Sequence, residues 1–194
     1  MKAEIVSVGT EILLGEILDT NAQYLAVRLP PMGIDLYYVS GVGDNLQRLA
    51  ETVGRAHKRS DIVLITGGLG PTEDDLTREA IALSLDEEMY VDQATVDRLR
   101  SFFAARGFTF PERNVKQAML IPSAHAIPNP RGTAPGWWVE KDGRIIVAMP
   151  GPPPELELMW EVEVAPRLAQ LAAGEVIVSR TLKTIGIGEG HLDE

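Results

Sequence analysis

Residues 66–77 read TGGLGPTEDDLT and follow the apolar run DIVLI. Gly67, Gly68 and Gly70, with Pro71 and Thr72, would let backbone N–H groups converge on an anion, because no Cβ obstructs the approach. A tight turn from strand to helix needs one glycine rather than three. Glu73, Asp74 and Asp75 come next, and carboxylates repel phosphate. No Lys–Ser/Thr pair follows the last glycine, so this is not a Walker loop, and Glu73 stands where the dinucleotide fingerprint requires its third glycine. With no lysine beside the loop to neutralise a phosphate, a divalent cation resolves the conflict. A magnesium-like ion takes one or two carboxylates plus phosphate oxygens and water. The plainer alternative makes Asp74 or Asp75 a helix cap, with the acids favourably placed on the helix dipole.

Other loops carry candidates of the same kind. In VGDN, Asp44 sits just after a predicted strand, where it could reach the same sheet edge or simply cap a helix with Asn45. GTEILLGEILDTN offers Thr10, Glu11, Asp19 and Asn21 as a pocket wall or as capping groups. RGTAPG (Arg131, Gly132, Thr133, Gly136) and MPGPPPE (Pro150, Gly151, Pro152) are small, stiff loops suited to holding a sugar or phosphate through the backbone. Arg131 could meet a phosphate directly. His57, His125 and His191 show no ligand spacing and read as surface or capping residues. If Trp137 and Trp138 lie on a strand they point to opposite faces, so one is expected in the core and the other could stack on a base.

These residues need elements to position them. Ala3–Gly9, Ile34–Val42 and Asp61–Thr66 read as strands, separated by a helix capped by Thr20 or Asn21 and a second capped by Asn45. Strands alternating with helices imply a parallel sheet with ligands gathering at its carboxyl edge. Helices are expected over Leu76–Leu85, Asp92–Arg106, Glu112–Met119 and Pro154–Leu171. Residues 121–136, rich in Pro and Gly, read as irregular, and WWVEKDGRIIVAMPG reads as a hairpin turning at Asp142–Gly143. The fold class expected is α/β, a three-layer α/β/α sandwich with a mostly parallel sheet.

The 194 residues suffice for one domain plus a small extra piece. The net charge of −10 argues against broad nucleic-acid binding, which relies on Lys and Arg replacing counterions. Without cysteine there is no thiolate chemistry. No apolar stretch approaches the roughly 20 residues of a membrane span, and the N-terminus lacks a secretory pattern, so a cytoplasmic location is expected.

TGGLGPTEDDLT, VSVGTEILLGEILDTNAQYLA, VGDN and AMPGPPPE, in this order, resemble the competence/damage-inducible protein A family. Its N-terminal domain is similar to the molybdopterin-binding domain of molybdenum-cofactor biosynthesis proteins. The resemblance covers residues 1–171, while residues 175–194 look like the start of a KH-like domain continued in longer members. It implies a metal-dependent ADP-ribose pyrophosphatase, giving AMP and ribose 5-phosphate. Asp44, Asp75 and Thr77 would form the catalytic group, and Asp44, Glu73, Asp74 and Asp75 would hold magnesium, manganese or cobalt; a monovalent cation is a further candidate. The partners implied are a small nucleotide and further copies of the chain. A molybdopterin-binding or nucleotidyl-transfer protein and a noncatalytic nucleotide-binding module are the alternatives.

Overall fold

The computed structural model describes residues 1–172, and the expected start of a second domain at 175–194 lies outside them. Apolar runs form β1 (Lys2–Val8), β2 (Asp35–Val42) and β3 (Ile62–Thr66), linked by α1 (Thr10–Leu13), α2 (Thr20–Arg28) and α3 (Leu46–Arg59). Then follow α4 (Thr77–Leu85), β4 (Tyr90–Val91), α5 (Gln93–Ala104), a 3-10 segment (Glu112–Ala118) and β5 (Met119–Leu120). The chain continues through β6 (Ala124–Ile127), β7 (Gly136–Lys141), β8 (Arg144–Met149), α6 (Pro153–Met159) and α7 (Ala165–Leu171).

Six strands form one sheet in the order β2-β1-β3-β8-β7-β6. The first four are parallel, and β7 runs antiparallel to both its neighbours. β4 and β5 pair separately. One sheet face packs its apolar side chains with Leu49, Val53 and Ile81 of α3 and α4, and the other with Leu25, Leu156 and Leu168 of α2, α6 and α7. The result is the expected three-layer sandwich. No helix among the described residues is long and apolar enough to cross a membrane.

Double coverage corrects the reading of the tryptophans. Trp137 is fully buried and Trp138 is 3% exposed, one in each apolar layer, because both faces of this sheet are inside. Each indole N–H finds an acceptor, Trp137 in the Met119 carbonyl and Trp138 in Glu140. Neither is available to stack on a base. His57 is also buried rather than superficial, with Nε2 3.3 Å from the Lys141 carbonyl.

Local chemistry accounts for the remaining differences. Asp19, not Thr20 or Asn21, caps α2 by accepting from the Ala22 N–H, whereas Asn45 caps α3 as expected. The stretch expected to be irregular contains β6, because AHAI lies between the prolines at 122 and 128 and needs only the one partner strand of an edge. The last helix is interrupted by a π-helical turn at Trp160–Val164, where the Ala165 N–H reaches back to the Trp160 carbonyl. Pro166 has no N–H for the regular ladder, and the wider turn absorbs that defect. At the hairpin, Asp142 and Gly143 have φ of 53° and 70°, the left-handed pair a two-residue turn requires.

Candidate active site

The carboxyl ends of β1, β3 and β8 open into a cleft of about 580 Å³, within the usual range for a small-molecule pocket. The glycine loop forms part of its wall from Thr66 to Pro71. Gly67 adopts φ 92° and Gly68 φ 66°, so both need glycine. A Cβ on Gly67 would strike the Val8 carbonyl, and one on Gly68 the Thr77 hydroxyl. The Gly67 N–H is spent on the Met149 carbonyl at 3.0 Å, which ties the loop to β8. The N–H groups of Gly68, Leu69 and Gly70 have no protein acceptor among the described residues. Consecutive free donors of this kind suit an anion.

Among the described residues six acids line the same cleft, Glu11, Asp19, Asp44, Asp74, Asp75 and Glu155, and no Lys or Arg does. Asp44 is fixed through Oδ2, which accepts from the Thr10 N–H at 3.0 Å and the Thr10 hydroxyl at 2.7 Å. Asp75 turns back on its own loop, its Oδ2 accepting from the Thr72 N–H at 2.9 Å and the Thr72 hydroxyl at 2.6 Å. It therefore does not cap α4, and neither does Asp74; Leu76 precedes that helix with no side-chain cap. In both cases these bonds use one carboxylate oxygen.

Several expected site residues lie elsewhere. Thr77 is fully buried beneath the loop, and its hydroxyl donates to the Gly67 carbonyl at 2.8 Å, so it supports the cradle instead of touching a ligand. Thr10 and Thr72 are committed to the two aspartates. Glu73 and Gly132 do not line the cleft, and Gly136 is packed against Met159 and the Ala148 carbonyl. Arg131 points to the Pro154 carbonyl at 3.4 Å, away from the cleft lining. Asn21, Thr133, Pro150, Gly151 and Pro152 do line it, with the Asn21 amide donating to the Gly151 carbonyl at 2.7 Å.

The expected four-acid metal site is not assembled. Among the described residues no three acids or histidines converge as a metal-binding group. Asp44, Asp74 and Asp75 line the same cleft as Gly68, Leu69 and Gly70, and a hard cation of the magnesium type would take one or two of these carboxylates with other oxygens completing its shell.

Two cations escaped the sequence reading. Arg78 is 1% exposed beneath the loop, donating from Nη1 to the Leu69 carbonyl and from Nη2 to the Pro135 carbonyl. Desolvation pulls its guanidinium down to about 10, against the upward pull of Glu79 and Asp75, and it stays charged at neutral pH. Lys116 overturns the expectation that no lysine stands beside the loop. Its Nζ donates to the Thr72 carbonyl at 2.7 Å and pairs with Glu79 at 3.1 Å. Gln117 and Ala134 also line the cleft without any local signal in their segments.

Comparison with known proteins places this geometry. A CinA-like protein of Thermomicrobium roseum is 51% identical over all 194 residues, which cover 48% of that protein. The chain thus spans about half the length of the curated relatives it matches. The crystal structure of CinA from Thermoplasma acidophilum superimposes with a TM-score of 0.81 at 29% identity, over 87% of this chain and 99% of that one. A molybdopterin biosynthesis protein from Mycobacterium abscessus shares the fold, with a TM-score of 0.59 at 20% identity over 88% of this chain and 93% of that one. Residues 4–170 match the family model described as a probable molybdopterin binding domain, and the chain belongs to that family.

Proposed function

We propose that the cleft binds a nucleoside diphosphate sugar, of the ADP-ribose type, and hydrolyses its phosphoanhydride with a divalent cation. The observation that carries this reading is that, among the described residues, a cleft lined by Gly68, Leu69 and Gly70, whose N–H groups have no protein acceptor, is also lined by six acids and by no Lys or Arg. The N–H groups would hold phosphate oxygens. One or two of the carboxylates of Asp44, Asp74 and Asp75, with phosphate oxygens, would hold the cation, which when bound supplies Lewis-acid polarisation of the phosphoryl group. The second carboxylate oxygen of Asp44 or Asp75 would take a proton from the water whose oxygen attacks phosphorus. The anhydride P–O bond breaks, and AMP and ribose 5-phosphate leave. Thr10 and Thr72 keep the two aspartates aimed; Thr77 and Arg78 keep the loop in shape.

The test is release of phosphate from the products by an added phosphatase, with magnesium, manganese or cobalt present. The unaltered chain should turn over ADP-ribose only with metal, and Asp75→Asn and Asp44→Asn should each lose at least about a hundredfold, a scale typical of removing one group from a catalytic constellation. Full activity in both variants would discard the scheme. The family description favours a second reading, binding of a molybdopterin in the same cleft without hydrolysis. Competition between a pterin and ADP-ribose for the chain separates the two.

A further inference from the structure

Gln117 enters the cleft from the 3-10 segment, outside the parallel core, and is only 2% exposed. Its Oε1 accepts from the Asn114 Nδ2 at 2.8 Å, and Asn114 is itself 4% exposed. This bond fixes the plane of the Gln117 amide. Among the described residues its Nε2 has no acceptor. Next to it, Lys116 grips the carbonyl of Thr72, so the segment is anchored to the far end of the glycine loop. That nitrogen is not one of the buried, unpartnered side-chain atoms, so in the cleft wall it keeps access to a ligand, and a purely packing role would be served as well by an apolar side chain of the same shape.

We propose that Gln117 binds the ligand directly, its Nε2 donating to an oxygen of the anion held by the glycine loop. This rests on the reading of that ligand as a diphosphate. In a cleft lined by six carboxylates and no Lys or Arg, a neutral donor adds attraction for the anion while leaving the acids unpaired for the cation. A lysine in that place would compete for the same carboxylates.

The experiment is calorimetric titration of a methylene-bridged, non-hydrolysable ADP-ribose analogue with magnesium into the unaltered chain, Gln117→Met and Gln117→Glu, with thermal unfolding alongside. Gln117→Met should weaken binding about tenfold, the equivalent of ~1.4 kcal/mol. Gln117→Glu should weaken it further through repulsion, while the binding of manganese alone is kept or strengthened. Asn114→Leu, which frees the amide from its orienting bond, provides a second route if Gln117→Met unfolds, and should weaken the analogue less. Unchanged affinity in folded Gln117→Met and Gln117→Glu overturns this role and leaves the proposed hydrolysis standing. Failure of the unaltered chain to bind the analogue, AMP or pyrophosphate overturns both.

Discussion

Arg78 donates to the Leu69 carbonyl at 2.7 Å and to the Pro135 carbonyl at 2.8 Å, so one buried guanidinium clamps the glycine loop to the segment before β7. Its Nε has no acceptor, and the Trp137 ring lies 6.0 Å from its Cζ. Replacing it with methionine leaves two buried carbonyls unpaired, at about 1–3 kcal/mol each, offset in part by relief of the buried charge. Arg78→Met should lower the unfolding free energy obtained from urea denaturation by a net of about 2 kcal/mol, with a lower urea midpoint, and weaken ligand binding as well. Arg78→Lys, able to reach only one carbonyl, should fall between. An unchanged midpoint in both would show that the clamp carries no energy.

Thr77 supports the loop from beneath. Its hydroxyl bonds the Gly67 carbonyl and its N–H the Gly68 carbonyl at 3.1 Å. Thr77→Val should cost about 1–2 kcal/mol of stability by leaving that carbonyl unpaired, whereas Thr77→Ser keeps the bond and most of the activity. Thermal unfolding of the pair checks this. Equal losses in the two would assign the effect to the methyl group instead.

Gly70 tests the placement of Asp75 separately from the fold. A Cβ there would collide with the Asp75 carboxylate, although Gly70 is not among the glycines with positive φ. Gly70→Ala should therefore displace Asp75 and depress turnover at least about tenfold while changing stability by less than ~1 kcal/mol. Steady-state kinetics with parallel denaturation will show whether the two effects divide in this way.

Glu87 gives the fold a pH signature. Burial pushes its carboxyl up, but the bond with Lys141 at 2.8 Å and that from the Ser123 N–H at 3.0 Å outweigh burial and leave it below its ordinary 4.5. The folded state thus binds fewer protons than the unfolded chain in this range, so the contribution is present above pH 4.5 and fades as pH drops through the folded value. Glu87→Gln should be less stable than the unaltered chain at neutral pH, and the gap should close on acidification. A gap that widens in acid would reverse the sign.

The glycine loop, Asp44 and Asp75 were legible because each is declared within a few residues of a strand end. Asn45 and the Asp142–Gly143 turn were legible for the same local reason. What escaped depends on distant partners. Nothing near residue 78 announces a carbonyl 57 residues further on, and nothing near residue 116 announces one 44 residues back. The contact of Arg131 with the Pro154 carbonyl likewise depends on a partner 23 residues away, which its own segment does not announce. Thr77 was assigned to chemistry by motif, yet a hydroxyl two residues past an acid can as readily face inward.

Among the described residues β8 is the last strand to be synthesised, but it lies between β3 and β7 near the middle of the sheet. A chain emerging from the ribosome must hold the exposed flank of β3 open until residues 144–149 arrive to close it. Only then does Met149 capture the Gly67 N–H. The cleft is therefore completed late in vectorial synthesis, and nascent fragments that stop short of this strand leave a bare sheet edge of the kind that aggregates.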